Sequence, residues 1–528
     1  MLRQLGLTAL CTSVVGMLLG VVTFNVVPAA ESTKPKKQSP QELAAQIDQF
    51  LAESWRGNDV VPAEMASDAE FFRRVSLDLI GRIPSVAEVR EFLADTHADK
   101  RQRVVEAKLA EPAWAQHFSH AWRTLLLSQA NPQDVRYLAP RVETWLQRQL
   151  RDEVPYDVWV RKLITAQLDV RPVGTLASQD NIEGHAIVFF QANELKPENL
   201  AAATARMFLG INLDCAQCHN HPFADWKQDQ FWQLAAFYSG VQRLRPDNSF
   251  MAAPEAIDRL ELTIPGTKRV VQATFLDGQS LQRSKSTSPR TELAQWVTSR
   301  DNPYFARAVA NRLWAQFFGR GIVEPLEDLG GRGTPTHPAL LDELARQLIA
   351  HDFDIKFLVR AITSSQAYQR TSRTNHPSQL EPKHFARMSV RGMTAEQVWD
   401  SLALATGYRD PSNSVSTKAE FLAKFADLDR PTETQTSIVQ ALSLMNGRFT
   451  FSVTTLSSSE TLAAVADAPF LSLDGRIETL FLATVSRPPT VEEVESFTKF
   501  YHKQGETPEA WGDIFWALLN SSEFILNH

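Results

Sequence analysis

The chain has 528 residues, 44% of them apolar and 22% charged, the make-up of a globular protein with room for two or three ordinary domains. A formal net charge of −7, with no long basic run outside one short linker, argues against nucleic acid as a partner. Three cysteines in a chain this long exclude cysteine as a general staple.

At the N-terminus Arg3 precedes an apolar run from Leu5 to Val27, which ends in Val27-Pro28-Ala29-Ala30-Glu31. Small residues at Ala29 and Ala30 suit a signal-peptidase cut, so residues 1–30 read as a signal peptide and the protein as exported, to the periplasm or cell envelope. The run is also long enough to remain as an uncleaved anchor, which leaves membrane anchoring open. Cys11 falls inside it, behind Leu10 where a lipoprotein site would want a small residue, and reads as a bystander.

Residues 31–40 form a polar, lysine-rich linker. Helix signals then begin abruptly. Ser39-Pro40-Gln41-Glu42 is a capping box with proline at the first helical position, followed by Leu43, Ile47, Phe50, Leu51 and Trp55 at helical spacing. A second helix is expected from Ala69 to Ile80 with Gly81 as its stop, and Ser85 with Glu88 caps a third. Trp114, Phe118, Trp122, Trp145 and Trp159 fall in helical patterns that mark a core rather than a sugar-stacking face. His117 and His120, in the same stretch, read as helix-face or buried histidines. Pro197 to Leu209 reads as a short helix ended by Gly210, and Phe231, Leu234, Ala235 and Phe237 mark another beyond residue 223.

Between Val241 and Arg290 the pattern changes. Leu260–Ile264 and Arg269–Phe275 alternate like strands around Pro265-Gly266, and a Ser-rich connector follows at 284–288. Helices return at Thr291. Asn302-Pro303 opens one carrying Phe305, Val309, Leu313 and Phe317 and stopped by Gly319. Gly330-Gly331-Arg332-Gly333 lacks the Lys-Ser/Thr and the leading strand of a phosphate loop and reads as a flexible connection. Leu340, Leu344 and Leu348, then Leu358 and Ile362, mark two more helices. Thr394 with Gln397 and Thr490 with Glu493 are further capping boxes, and Thr507-Pro508 starts a last helix through Leu519. The fold expected is mainly α: a helical domain over 41–241, a small β-containing segment over 242–290, and a second helical domain over 291–528.

Chemistry concentrates in Asp214–Phe223. Cys215, Cys218 and His219 form a C-x-x-C-H string, the pattern of covalent haem attachment. The two thiols would bond neighbouring edges of the macrocycle, and the adjacent imidazole would be the proximal iron ligand. Once residues 1–30 leave, both remaining cysteines belong to this motif. Met207 and His185 are the candidates for the distal ligand. His221 is too near along the chain to reach the opposite haem face, so it is expected to orient the site from behind. The same residues admit a zinc or other structural metal, or a disulfide with no cofactor, although a second C-x-x-C pair to close a zinc site is missing.

Several strings resemble a known pair of uncharacterised domains from secreted planctomycete proteins. The first resemblance covers Phe71–Gly240, through Arg74-Val75-Ser76-Leu77-Asp78-Leu79-Ile80-Gly81-Arg82-Ile83-Pro84, the cysteine motif, and Leu234-Ala235-Ala236-Phe237. The second covers Arg290–His528, through Asp301-Asn302-Pro303-Tyr304, Asn311-Arg312-Leu313-Trp314, Gly319-Arg320-Gly321-Ile322-Val323-Glu324-Pro325 and Asn520-Ser521-Ser522-Glu523-Phe524. The resemblance implies an exported, haem-motif-bearing protein with no established activity. Many such proteins carry an additional N-terminal cytochrome c domain, whereas here the haem motif is internal, so electron relay is expected to need a redox partner protein. Two functions follow as expectations: a single-haem protein for electron transfer or redox chemistry, or a non-redox envelope binding or assembly protein whose motif holds a metal or a bridge. No G-x-S-x-G elbow or H-E-x-x-H pair points to a hydrolase, and Glu327-Asp328 and Asp352/Asp354 read as solvated turns. Whether the protein is an enzyme is left open by these patterns.

Overall fold

The computed structural model describes residues 36–168, 182–245, 248–281, 287–331, 333–409, 417–426, 451 and 453–528. The expected signal peptide, linker residues 31–35, most of the Ser-rich connector and Arg332 lie outside them. The chain is mainly α-helical, and among the described residues no helix is long and apolar enough to cross a membrane.

The first half runs through α1 (Pro40–Gly57), α2 (Asp68–Ile80), α3 (Val86–Ala94), α4 (Lys100–Ala110), α5 (Pro112–Leu126), α6 (Pro132–Arg151), α7 (Tyr156–Ile164), α8 (Val188–Ala192), α9 (Pro197–Thr204) and α10 (Gln228–Ala235). The second half holds α11 (Pro289–Val297), α12 (Phe305–Phe318), α13 (Pro338–Ala350), α14 (Ile355–Ser364), α15 (Ala395–Thr406), α16 (Thr417–Ala426), α17 (Glu460–Asp467), α18 (Leu473–Thr484), α19 (Val491–Lys503), α20 (Pro508–Leu519) and α21 (Ser522–Ile525). Many ends are set locally, where sequence placed them. The capping boxes at Ser39, Ser85, Thr394 and Thr490 form both reciprocal bonds. Gly81, Gly210 and Gly319 close their helices in the left-handed conformation that glycine adopts without a Cβ clash.

The expected β segment contains two antiparallel hairpins. β3 (Glu261–Thr263) pairs with β4 (Val270–Gln272), as the alternation around Pro265-Gly266 implies. β1 (Arg243–Arg245) and β2 (Asn248–Ala252) form a second ladder that the sequence does not announce. A third pair, β5 (Arg391–Gly392) with β6 (Leu526–Asn527), ties the C-terminus to the approach of α15.

Lys36–His528 pack as one compact unit. Its main core draws on both halves of the chain, from Leu43 through Trp145, Phe208 and Trp314 to Met388. A second core gathers α15, α17, α18 and α20 around Trp399, Phe481, Trp511 and Phe515. Helix α2 lies where the two meet: Phe71, Val75 and Leu79 join the main core while Leu77 joins the second. Every residue from Phe71 to Ile80 is therefore buried, including Arg73, Arg74 and Asp78. Buried charge must be paired and hydrogen-bonded to be tolerated. Arg73 donates to the carbonyls of Thr484 (3.0 Å), Glu523 (3.1 Å) and Phe524 (2.6 Å). Arg74 donates to the carbonyls of Tyr368 (2.7 Å), Arg370 (2.9 Å) and His528 (3.1 Å) and to the Glu70 carboxylate (2.7 Å). Asp78 accepts two bonds from Arg391 (2.8 and 2.9 Å), one from the Tyr368 hydroxyl (2.8 Å) and one from Asn527 (2.7 Å).

Candidate functional site

The cysteine motif sits on the connection between α9 and α10. After α9 the chain makes a π turn over Ala205–Leu209 and leaves it through Gly210, at φ +64°. A Cβ at Gly210 would lie 2.7 Å from Leu329 Cδ1, so glycine serves both the turn and the close approach. The next residues pair with a segment of the second half. Leu329 donates to the Gly210 carbonyl and Asn212 to the Glu327 carbonyl, each at 2.9 Å, and Ile211 bridges Asp328. Arg312, in the Asn311-Arg312-Leu313-Trp314 string, donates to the Met207 carbonyl at 2.6 Å. Gly330 and Gly331 lie directly beneath: a Cβ on Gly330 would come within 2.9 Å of the Trp226 ring, and one on Gly331 within 1.9 Å of Asp328 Oδ1. These glycines thus serve close packing, where the sequence reading expected only flexibility. The second half of the chain holds the base of the motif loop.

Asp214–Gln217 form one 3₁₀ turn, started by the Asn212 side chain accepting from the Asp214 N–H at 3.0 Å. Leu213 and Ala216 point inward, both fully buried. Cys215 lies within this turn and Cys218 is the residue that caps it. Both thiols are free and exposed. Beyond them the backbone is pinned by α10: Gln228 Nε2 donates to the Cys218 carbonyl at 2.9 Å, Trp232 Nε1 to the Gln217 carbonyl at 3.0 Å, and the Gln228 N–H to Asn220 Oδ1 at 3.0 Å. Gln228 and Trp232 are site-shaping residues that no motif signals. Their side chains act on backbone carbonyls, and a carbonyl imposes no residue type on its own position.

The two histidines of the loop differ in tautomer, and the reason is visible in their partners. His219 Nδ1 lies 2.7 Å from the Asn220 carbonyl oxygen. A carbonyl only accepts, so Nδ1 carries the proton and Nε2 keeps its lone pair for a ligand or metal. His221 Nδ1 instead accepts from the Phe223 N–H at 3.2 Å, so in the neutral ring Nε2 is protonated. Of the two, His219 alone offers a bare Nε2. The exposed Phe223, at 62%, lies beside His221 with ring centroids 6.4 Å apart.

The other sequence candidates lie on different elements. Met207 is in the π turn, 1% exposed within the main core, and His185 is half-buried in a 3₁₀ turn over Ile182–Ile187. Among the described residues no group of three or more His, Cys, Asp or Glu side chains converges on a metal position. Two thiols three positions apart, followed by an imidazole with a bare Nε2, are residues that could hold a covalent haem. The Asp352/Asp354 pair has structural work: Asp354 caps α14 through the Phe357 N–H (3.2 Å), and Asp352 pairs with Arg300 and Lys37.

Residues 46–243 match the family model described as "Protein of unknown function (DUF1549)", and residues 289–421 match one described as "Protein of unknown function (DUF1553)". The chain therefore carries two uncharacterised domains in tandem. The motif loop belongs to the first and its clamp, Arg312 and Glu327–Gly331, to the second. No curated protein and no solved structure matches the chain.

Proposed function

We propose that this is an exported protein of the periplasm or cell envelope carrying one covalent haem, used for electron transfer or related redox chemistry with a partner protein. Cys215 and Cys218 would hold the group through thioether bonds, and His219 Nε2 would be its proximal ligand. The bound group supplies a one-electron iron centre. The chain's own residues do the rest. Asn220 holds the His219 ring in the ligating tautomer, Gln228 and Trp232 fix the carbonyls behind the thiols, and Gly210 with Glu327–Leu329 anchors the strand that leads in. The observation that carries this reading is the 2.7 Å contact from His219 Nδ1 to the Asn220 carbonyl, next in sequence to two free, exposed thiols. The apolar N-terminal run and the resemblance to domain pairs that accompany cytochrome c domains in secreted planctomycete proteins support it. A second reading shares the free, solvent-facing thiols: a non-redox envelope binding or assembly protein in which Cys215, Cys218 and His219 hold a structural metal or bridge.

The test is expression with export in a host that matures c-type haem, followed by a haem stain of denatured protein and an absorption spectrum. Wild type is expected to stain and to gain the mass of one porphyrin. Cys215→Ala and Cys218→Ala should lose the stain, while His221→Gln should keep it. Colourless wild-type protein of unmodified mass, or of a mass short by two hydrogens, would refute the haem reading and favour the second.

A further inference from the structure

Arg206 is a buried cation whose charge the surrounding protein leaves mostly unanswered. The arginines buried among the described residues are Arg73, Arg74, Arg206 and Arg290. Arg73 and Arg74 each donate to three backbone carbonyls. Arg290 binds both oxygens of Glu255, donates to the carbonyls of Ile164 and Ala166 (2.9 and 3.0 Å), and lies over the Phe190 ring. Arg206 makes one bond, from Nη1 to Asp214 Oδ2 at 3.0 Å, and its buried Nε meets no acceptor. The two side chains are also unequally covered, 9% exposed for Arg206 and 49% for Asp214. Water therefore screens the anion more than the cation, and the field of the guanidinium reaches further through the low-dielectric interior.

Both charges stand beside the cysteine motif. Arg206 lies in the π turn over Ala205–Leu209, a rare backbone form that recurs at functional sites. Asp214 opens the 3₁₀ turn of the motif and directly precedes Cys215. A macrocycle bonded to Cys215 therefore begins one residue from the partner of a buried cation, whichever way its plane faces. A second guanidinium, Arg312, reaches the same π turn, but it is answered by the Met207 carbonyl at 2.6 Å and by the field of Glu327. Charge and burial around an iron centre tune its potential. Uptake of one electron from a partner protein makes such a site less positive, a change that a nearby cation favours and a nearby anion opposes.

We propose that Arg206 and Asp214 form a charge pair that sets the reduction potential of a haem held at Cys215 and Cys218, the buried guanidinium raising it and the exposed carboxylate restraining it. This inference rests on the haem reading of the motif and assigns the pair a positioning role in the electrostatics of that site.

The exported full chain, matured with haem, is titrated optically at fixed applied potentials beside Arg206→Met, Arg206→Lys and Asp214→Asn. Asn at this position keeps an oxygen for the Arg206 bond and the backbone N–H that Asn212 holds, so the charge goes with little change of shape. At the wild-type midpoint Arg206→Met is expected to be about tenfold less reduced, a downward shift of ~59 mV. Arg206→Lys keeps the charge and should stay nearer wild type. Asp214→Asn should shift upward, by less, because water already screens that carboxylate. A role confined to holding the loop would move both neutralising variants one way or neither. Haem-bearing variants whose midpoints stay put or move together therefore overturn the pair's role and leave the haem assignment standing, whereas wild-type protein without haem overturns both. If Arg206→Met does not fold, Asp214→Asn decides alone: an upward shift supports the proposal, and an unmoved or lowered midpoint ends it.

Discussion

Asp78→Ala is expected to cost about 3–5 kcal/mol, enough to bring a protein of ordinary stability close to unfolding. The reason is what the carboxylate leaves behind. Arg391, the Tyr368 hydroxyl and Asn527 all donate to Asp78 within 2.9 Å, in a place where water cannot replace it. Removing the acceptor strands a guanidinium and two neutral donors together, and an uncompensated buried charge is among the most expensive defects a core can carry. Asp78→Asn keeps the shape and one acceptor oxygen, so its cost should be smaller. Arg73→Met is the complementary test. The side chain is 1% exposed and burial lowers its pKa to about 10, which places it well inside the structure. Its loss frees the carbonyls of Thr484, Glu523 and Phe524 and should loosen the C-terminal segment first. Urea unfolding of each variant, with limited proteolysis to see whether cleavage begins near Ser521, measures both effects. An Asp78→Ala protein within about 1 kcal/mol of wild type would show that the network is not what holds α2 between the two cores.

The same residues show where reading a sequence succeeds and where it stops. Helix starts at Ser39, Ser85, Thr394 and Thr490 are legible because the donor and acceptor lie three positions apart, within one window. The β3–β4 hairpin is legible for the same reason, since its alternation and turn are contiguous. Arg73, Arg74 and Asp78 are conspicuous in the string around α2, yet their roles are hidden: apart from Glu70, which Arg74 meets one turn away, their partners lie roughly three hundred to four hundred and fifty positions downstream. Gly330 and Gly331 look like a flexible joint until Trp226, Ile211 and Asp328 are seen to press against them. The β1–β2 ladder is not legible because Arg243-Leu244-Arg245 has too few residues to show a period. At the candidate site the spacing of Cys215, Cys218 and His219 is plain in the sequence, whereas the tautomers of His219 and His221 depend on which backbone atom each ring meets. His117 and His120 read correctly as helix-face histidines. What could not be read is that α15, almost three hundred residues on, closes a cavity over them.

Those two rings, with His337, should also make the protein lose stability in mildly acidic solution, well before carboxylates protonate. Burial lowers each of the three from its ordinary 6.5 to about 4 in the folded chain. Well above pH 6.5 the rings are neutral folded or unfolded and contribute nothing to the pH dependence. As pH falls from 6.5 toward 4, the unfolded chain takes up protons that the folded chain refuses, so unfolding gains. Between pH 7 and 5 this amounts to about 2 kcal/mol per histidine, somewhat less for His120, whose side chain is 16% exposed and which shares its surroundings with His117 and Glu396. Folded carboxylates held low by their partners act later. Glu88, bound by Lys108 and the Ser85 cap and lowered to about 2, gives up its contribution only as pH falls from 4.5 toward 2. The two windows are therefore separable. Urea midpoints across pH 7 to 5 should fall steeply for wild type and less steeply for His337→Asn and His120→Gln, each substitution removing one proton from the uptake on unfolding. Profiles that stay parallel would mean the rings titrate normally in the folded protein.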